Sequence, residues 1–76
     1  MIASFFSDER LKEDMELVGK DEKGMNVYKF RYKQPKNPLF VGYSAQEVAE
    51  KDPENAMVDE SGYLKVSGKY APVRVD

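Results

Sequence analysis

The feature that most constrains the fold is a short run of strict alternation in the middle of the chain. Residues 25–32 follow a period of two, which is the spacing of side chains on a strand. Aromatic side chains lie on one face and basic side chains on the other: Tyr28, Phe30 and Tyr32 against Lys29 and Arg31. Residues 33–38 then contain two prolines and an asparagine, which predicts a loop at the end of this strand.

A second strand and a short central helix are predicted after this loop. Residues 39–43 are apolar and indicate a more buried strand. Ser44 and Glu47 have the spacing of a capping box, so residues 45–51 should be helical, and Gln46 should bind a backbone group. Asp52-Pro53 ends the helix.

The last third of the chain predicts a hairpin. Residues 56–58 and 63–66 have strand character and flank Asp59–Gly62, a four-residue connection with glycine at its end. The tail adds one irregular strand through residues 73–75.

The segment before the alternating run has the signals of a helix. Ser7 is a good N-cap, and acidic residues follow it at the positive end of the helix dipole. Apolar residues recur at helical spacing: Leu11, Met15 and Val18. We therefore predict a helix from about Asp8 to Glu16, with an early strand over residues 15–18 as the alternative, because a turn-like run follows.

Together these elements predict an α+β fold, with a small, mainly antiparallel sheet, an N-terminal helix and one short central helix. The predicted domain organisation is an apolar N-terminal leader at residues 1–6 and a single domain at residues 7–76. A domain of this size buries only about 60% of its unfolded surface, so oligomerisation is expected.

The composition excludes several classes of function. The chain has no cysteine and no histidine, so we expect no disulfide, no metal site and no cofactor. A net charge of -2 gives no single-sign field, so nucleic acid is not an expected partner. No stretch approaches the ~20 apolar residues of a membrane span, and the apolar opening is too short for a signal peptide.

Without histidine or cysteine, Ser7 and Lys12 are almost the only route to hydrolytic chemistry. A serine attacks a carbonyl when a base removes its proton, and a desolvated lysine with a lowered pKa is one such base. The ordinary alternative is that Ser7 caps a helix and Lys12 is solvated. On a regular helix, positions five apart are separated by about 140° around the axis. Ser7 must therefore lie ahead of the helix, or a lysine of another subunit must serve it.

Three segments taken together resemble a known family. They are SDERLK at residues 7–12, VYKFRY at residues 27–32, and Gly42 ahead of AQEV at residues 45–48. In this order and spacing they resemble the intramolecular chaperone, auto-processing domain (peptidase S74 type) of phage tail fibres and tailspikes. Members of that family usually end a long fibrous chain, trimerise, help the fibre fold in register and then cut themselves off.

The resemblance implies roles for individual residues. Ser7 corresponds to the nucleophile, Lys12 to its base and Phe6–Ser7 to the bond that is cut. Backbone N–H groups at the helix start are the expected oxyanion donors. The expected interface residues are aromatic: Phe5, Phe6, Tyr28, Phe30 and Tyr32. The expected partners are further copies of the chain, as a trimer, or a tail-fibre or other virion protein.

We therefore expect a short stand-alone phage or prophage protein that acts in virion or tail-fibre assembly as an oligomeric folding or attachment module. Its expected location is the virion, or the host cytoplasm during phage assembly. Because only six residues precede Ser7, lasting cleavage ranks below a structural role. Two alternatives stay open: a virion structural adaptor that kept the fold and lost both activities, and an active Ser-Lys self-cleaving peptidase.

Overall fold

The computed structural model describes residues 3–76, which form two antiparallel sheets and one short α-helix. In chain order the elements are β1 (Ser4–Phe6), β2 (Lys12–Lys20), β3 (Asn26–Tyr32), β4 (Leu39–Gly42), α1 (Ala45–Lys51), β5 (Ala56–Val58), β6 (Leu64–Ser67) and β7 (Val73–Arg74). Within this part of the chain no helix is both long enough and apolar enough to cross a membrane.

The two sheets divide the chain unevenly. The smaller sheet has the strand order β1-β6-β5, so that the first strand pairs with a strand from the last third of the chain. The larger sheet has the order β2-β3-β4-β7, and its neighbouring strands are antiparallel. The strand predicted from the alternating aromatic residues is β3, which lies inside the larger sheet between β2 and β4.

The predicted N-terminal helix is wrong, and with it the predicted fold class. A single 3-10 turn spans Glu9–Leu11, and β2 follows immediately, so the fold is mostly antiparallel sheet. The alternative strand at residues 15–18 falls inside β2. The register of β2 against β3 shifts between Glu13 and Glu16, where Asp14 has a positive φ of 55°. This bulge breaks the period of two, so the apolar spacing imitates a helix.

The central helix has the predicted bounds, but only half of its capping box. Ser44 Oγ accepts the backbone N–H of Glu47 at 3.3 Å. The Glu47 carboxylate does not return to the cap; it accepts hydrogen bonds from the Tyr28 hydroxyl and from Asn26. The Glu47 side chain therefore connects α1 to β3 and does not cap the N-terminus of α1.

The hydrophobic core lies where α1 packs against β5 and β6. Its five buried members come from four separate segments: Met25, Ala45 and Val48 of α1, Val66 and Tyr70. The predicted hairpin is present, with Asp59–Gly62 joining β5 to β6 and Gly62 at a positive φ of 89°. The irregular strand predicted at residues 73–75 is β7, which is two residues long.

The apolar leader is described only in part. Met1 and Ile2 lie outside the described residues. Ser4–Phe6 form β1, which pairs with β6 in the register Ser4 to Ser67 and Phe6 to Lys65. The residues immediately before Ser7 are therefore held in an extended conformation by a ladder with the smaller sheet.

Candidate functional site

The 3-10 turn brings Ser7 and Lys12 together. Ser7 follows the end of β1, the 3-10 turn spans Glu9–Leu11, and Lys12 begins β2. Lys12 Nζ lies 2.8 Å from Ser7 Oγ. Both residues are buried, with 0% and 4% of their surface exposed. Ser7 therefore lies ahead of the helical turn, and a lysine of the same chain reaches it.

Lys12 is surrounded by oxygen acceptors. Its Nζ lies 2.8 Å from the backbone oxygen of Ser7 and 2.6 Å from that of Tyr43, in addition to Ser7 Oγ. An ammonium group has three donors, so the charged form of Lys12 is fully hydrogen-bonded here. Ser7 Oγ also lies 2.6 Å from the Tyr43 oxygen and can donate to it. When Lys12 is neutral, its lone pair can accept the Ser7 hydroxyl proton instead.

Burial changes the protonation of Lys12. Removal from water disfavours the charged amine and lowers the pKa of Lys12 from 10.5 to about 8, although the carboxylates of Glu9, Asp8 and Glu47 oppose this change. The Phe30 ring centroid lies 4.2 Å from Nζ and covers the amine on its apolar side. A lysine with a pKa near neutrality can exchange a proton with a serine hydroxyl, as a general base requires.

Asp8 fixes the chain next to Ser7. Its carboxylate is fully buried and accepts a two-point hydrogen bond from the Arg10 guanidinium, at 3.0 and 2.8 Å. It also accepts from Leu64 N at 2.9 Å and from Gln46 Nε2 at 2.7 Å. The Arg10 guanidinium, with help from the other donors, holds the pKa of Asp8 well below its usual range despite burial. These bonds connect the turn to β6 and α1.

The cap of the 3-10 turn is Asp8, and Ser7 is free of that role. Asp8 Oδ1 accepts Arg10 N at 2.9 Å. Gln46 Oε1 accepts the backbone N–H of Glu9 at 2.9 Å, which is the backbone contact predicted for Gln46. Ser7 N instead donates to Leu64 O at 3.2 Å. The Ser7 hydroxyl is therefore available to Lys12 and to the Tyr43 carbonyl.

The five aromatic residues predicted as an interface occupy different environments. Phe5 and Phe6 are 37% and 40% exposed. Phe30 has no exposed surface and contributes only to the interior. Tyr28 and Tyr32 are partly buried, and both use their hydroxyls within the chain: Tyr28 donates to Glu47, and Tyr32 donates to Phe6 O at 2.6 Å.

An apolar groove adjoins the bond between Phe6 and Ser7. Its volume is about 660 Å³, and it is lined by residues that include Phe5, Phe6, Leu11, Tyr32 and Phe40. No group of three or more carboxylate, histidine or cysteine side chains within residues 3–76 is arranged to hold a metal ion. The contacts at the site are made by a hydroxyl, an amine, three backbone carbonyls and a phenol.

Sequence reasoning identified Ser7 and Lys12 but missed three of their neighbours. The Tyr43 carbonyl leaves no sequence signal, because every residue has a carbonyl group. The role of Asp8 was hidden by its position in an acidic run that resembled a solvated helix. The hydroxyl of Tyr32 was overlooked because its ring fitted an aromatic stripe.

Comparison with known proteins gives one match. A family model described as chaperone of endosialidase (peptidase S74) matches residues 7–57, a segment that begins at Ser7 and includes Lys12 and α1. No curated protein and no solved structure matches the chain.

Proposed function

The chain belongs to the chaperone of endosialidase family, and from this premise we propose that it assists phage tail-fibre assembly and cuts its own backbone between Phe6 and Ser7. The family places it among domains related to tail-fibre chaperones. The observation that carries the cleavage proposal is the buried contact of 2.8 Å between Ser7 Oγ and Lys12 Nζ.

The chemistry begins with a proton transfer. Neutral Lys12 removes the Ser7 hydroxyl proton, and Oγ forms a bond to the carbonyl carbon of Phe6, which closes a five-membered ring. When the tetrahedral centre collapses, the bond from the Phe6 carbon to Ser7 N breaks, and Ser7 N takes the proton from Lys12. The product is an ester that joins Phe6 to Ser7 Oγ and leaves Ser7 with a free amine.

Water completes the cleavage. It adds to the ester carbonyl and gives its proton to Lys12, and the bond to Ser7 Oγ then breaks as Oγ recovers a proton. The result is a carboxylate on Phe6 and an intact serine at a new N-terminus. With a Lys12 pKa of about 8, on the order of a tenth of the chains carry the neutral base at pH 7.

Intact mass spectrometry tests this proposal directly. The purified chain, incubated at pH 7 and pH 9, should yield a species that begins at Ser7, and it should form about tenfold faster per pH unit below pH 8. Ser7→Ala and Lys12→Arg should abolish it, because arginine keeps the charge but cannot lose its proton. Lys29→Arg, at a lysine on β3 whose side chain is 44% exposed, is the matched control and should cleave normally. Full-length chains after prolonged incubation at pH 9 would contradict cleavage.

The assembly part of the proposal concerns further copies of the chain. We expect a trimer, supported by the family, whose domains are typically trimeric, and by the exposed rings of Phe5 and Phe6 beside the apolar groove. Light scattering should give three times the mass of one chain. Phe5→Ser, on β1, should weaken the association. Val58→Ser replaces an exposed apolar residue on a different strand, β5, and should not weaken it. A monomer at all concentrations would contradict this part.

One observation favours a second candidate, an assembly module that does not cut itself. The three oxygen acceptors around Lys12 Nζ match the three donors of a charged amine. In that form Lys12 has a structural role, because it connects β2 to the backbone carbonyls of Ser7 and Tyr43. This candidate predicts full-length protein in every sample of the same incubation. It also predicts that Ser7→Ala leaves the oligomeric mass unchanged.

A further inference from the structure

The scissile carbonyl already has a hydrogen-bond donor. Tyr32 Oη lies 2.6 Å from Phe6 O, the oxygen of the carbonyl that Ser7 is proposed to attack. Tyr32 is also the direct partner of Lys12 in the register of β2 against β3. Directly opposed residues of an antiparallel pair lie on the same face of the sheet. The paired strands β2 and β3 therefore supply both groups: the Lys12 amine contacts Ser7 Oγ, and the Tyr32 hydroxyl contacts the carbonyl oxygen of Phe6.

Three of the backbone donors at the start of the turn are occupied. The N–H of Glu9 donates to Gln46 Oε1 at 2.9 Å, and the N–H of Arg10 donates to Asp8 Oδ1 at the same distance. The N–H of Leu11 donates to Asp8 O at 3.0 Å. These groups hold the turn together and are not available to a charge that develops on Phe6 O.

The Tyr32 ring is packed between other aromatic rings, and its hydroxyl stays protonated. It makes edge contacts with Phe30 and Phe40, with ring centroids 5.3 and 5.1 Å apart. Burial raises the pKa of Tyr32 to about 12, so the phenol remains a donor throughout the range in which Lys12 loses its proton. A donor that is fixed before the reaction needs no reorganisation when charge appears on the oxygen.

We propose that Tyr32 is a catalytic residue whose hydroxyl stabilises the oxyanion formed on Phe6 O during self-cleavage. The inference rests on the proposed cleavage at Phe6–Ser7. As Ser7 Oγ bonds to the Phe6 carbon, the carbonyl π electrons move onto the oxygen, and the hydrogen bond from Tyr32 strengthens. The proton stays on Tyr32, and the electrons return to the carbonyl when the bond to Ser7 N breaks.

The kinetic test compares two tyrosine-to-phenylalanine variants. Tyr32→Phe keeps the ring and removes only the donor, and it should slow formation of the Ser7 species about 10²- to 10³-fold, the usual loss for one oxyanion donor. The midpoint of the pH profile, which reports Lys12, should not move. Tyr70→Phe removes a hydroxyl that donates to Asp52 at 2.6 Å and serves as the matched control, with an unchanged rate. Urea unfolding of both variants verifies that they are folded.

A second measurement does not depend on cleavage. In a Ser7→Ala background, the ¹³C resonance of the labelled Phe6 carbonyl should move upfield when Tyr32→Phe is added, because the donor that deshields it is lost. Tyr70→Phe should leave that resonance in place. An unchanged Phe6 resonance overturns the inference even if the wild-type chain does not cleave.

The outcomes separate this inference from the proposed function. If the wild-type chain cleaves and Tyr32→Phe cleaves at the same rate, the role of Tyr32 is wrong and the proposed cleavage stands. If the wild-type chain stays full-length while the Phe6 resonance responds to Tyr32→Phe, the cleavage proposal fails and the catalytic role fails with it, leaving only a polarised carbonyl. A slowed variant with a shifted resonance supports both.

Discussion

Replacing Lys12 with methionine should make the folded protein more stable at neutral pH, although it removes three hydrogen bonds. Methionine is similar in length and carries no charge that burial would penalise. The backbone acceptors keep other donors: Tyr43 O is 2.6 Å from Ser7 Oγ, and Ser7 O accepts the N–H of Ala45 at 2.9 Å. The substitution therefore leaves neither carbonyl without a partner, which is the usual cost of such a change.

The size of the effect follows from the pKa of Lys12. Burial lowers it from 10.5 to about 8, and at 1.36 kcal/mol per pKa unit the difference of about 2.5 corresponds to about 3 kcal/mol. Between these two values the unfolded chain binds a proton that the folded chain does not, so the wild-type stability rises with pH across this window. The advantage of Lys12→Met should be up to about 3 kcal/mol at pH 7, shrink above pH 8 and vanish near 10.5.

The assay is urea unfolding followed by far-UV circular dichroism between pH 7 and pH 10, with intact mass confirming that full-length chains are compared. The other ionisable groups are common to both proteins, so their contribution cancels in the difference. Lys29→Met, at a lysine whose side chain is 44% exposed, controls for the lost positive charge. The reasoning is refuted if the advantage of Lys12→Met is the same at pH 7 and pH 10, or if the variant is clearly less stable than wild type at pH 7.

Three further predictions concern stability, each measured by urea unfolding. Asp8→Asn should lower the free energy of unfolding by about 3 kcal/mol at pH 7. The substitution removes a buried carboxylate that accepts hydrogen bonds from Gln46 and from the backbone of Leu64. This difference should shrink as the pH falls below 3.8, since a group with a lowered folded-state pKa stabilises the fold only while it is ionised. Gly42→Ala should cost about 1–3 kcal/mol, because a Cβ there would lie 3.1 Å from the Cα of Pro72. Gly62→Ala should cost about 1–2 kcal/mol because of its φ of 89°, whereas Gly19→Ala, with open space around it and no positive φ, should have little effect.

Local signals predicted β3, the start of α1 and the hairpin between β5 and β6. The alternation in residues 25–32 identified β3, since its period of two matches the pleat of a strand. Ser44 marked the start of α1, because a hydroxyl ahead of an apolar helical pattern satisfies a free N–H of the first turn. Asp59–Gly62 identified the hairpin for a similar reason, as glycine there allows a positive φ.

Local signals failed in the segment before β3. Leu17 and Val18 are 54% and 50% exposed, so β2 does not have the buried stripe that would have revealed its period. The bulge near Asp14 interrupts the alternation of side chains along β2, so the apolar residues of this strand are not spaced by two and their spacing resembles that of a helix. This strand is specified by its ladder with β3, and such a pairing between segments does not appear in the periodicity of either one alone.

By itself, the sequence singled out the candidate pair: in a chain without histidine or cysteine, Ser7 and Lys12 were almost the only route to a nucleophile and a base. Tertiary structure decided their geometry and protonation. The backbone carbonyl of Tyr43, the ring of Phe30 and the hydroxyl of Tyr32 reach the site from β3 and from the end of β4. Burial, distance and the pKa of Lys12 depend on these contacts between distant segments, and no local pattern in the chain encodes them.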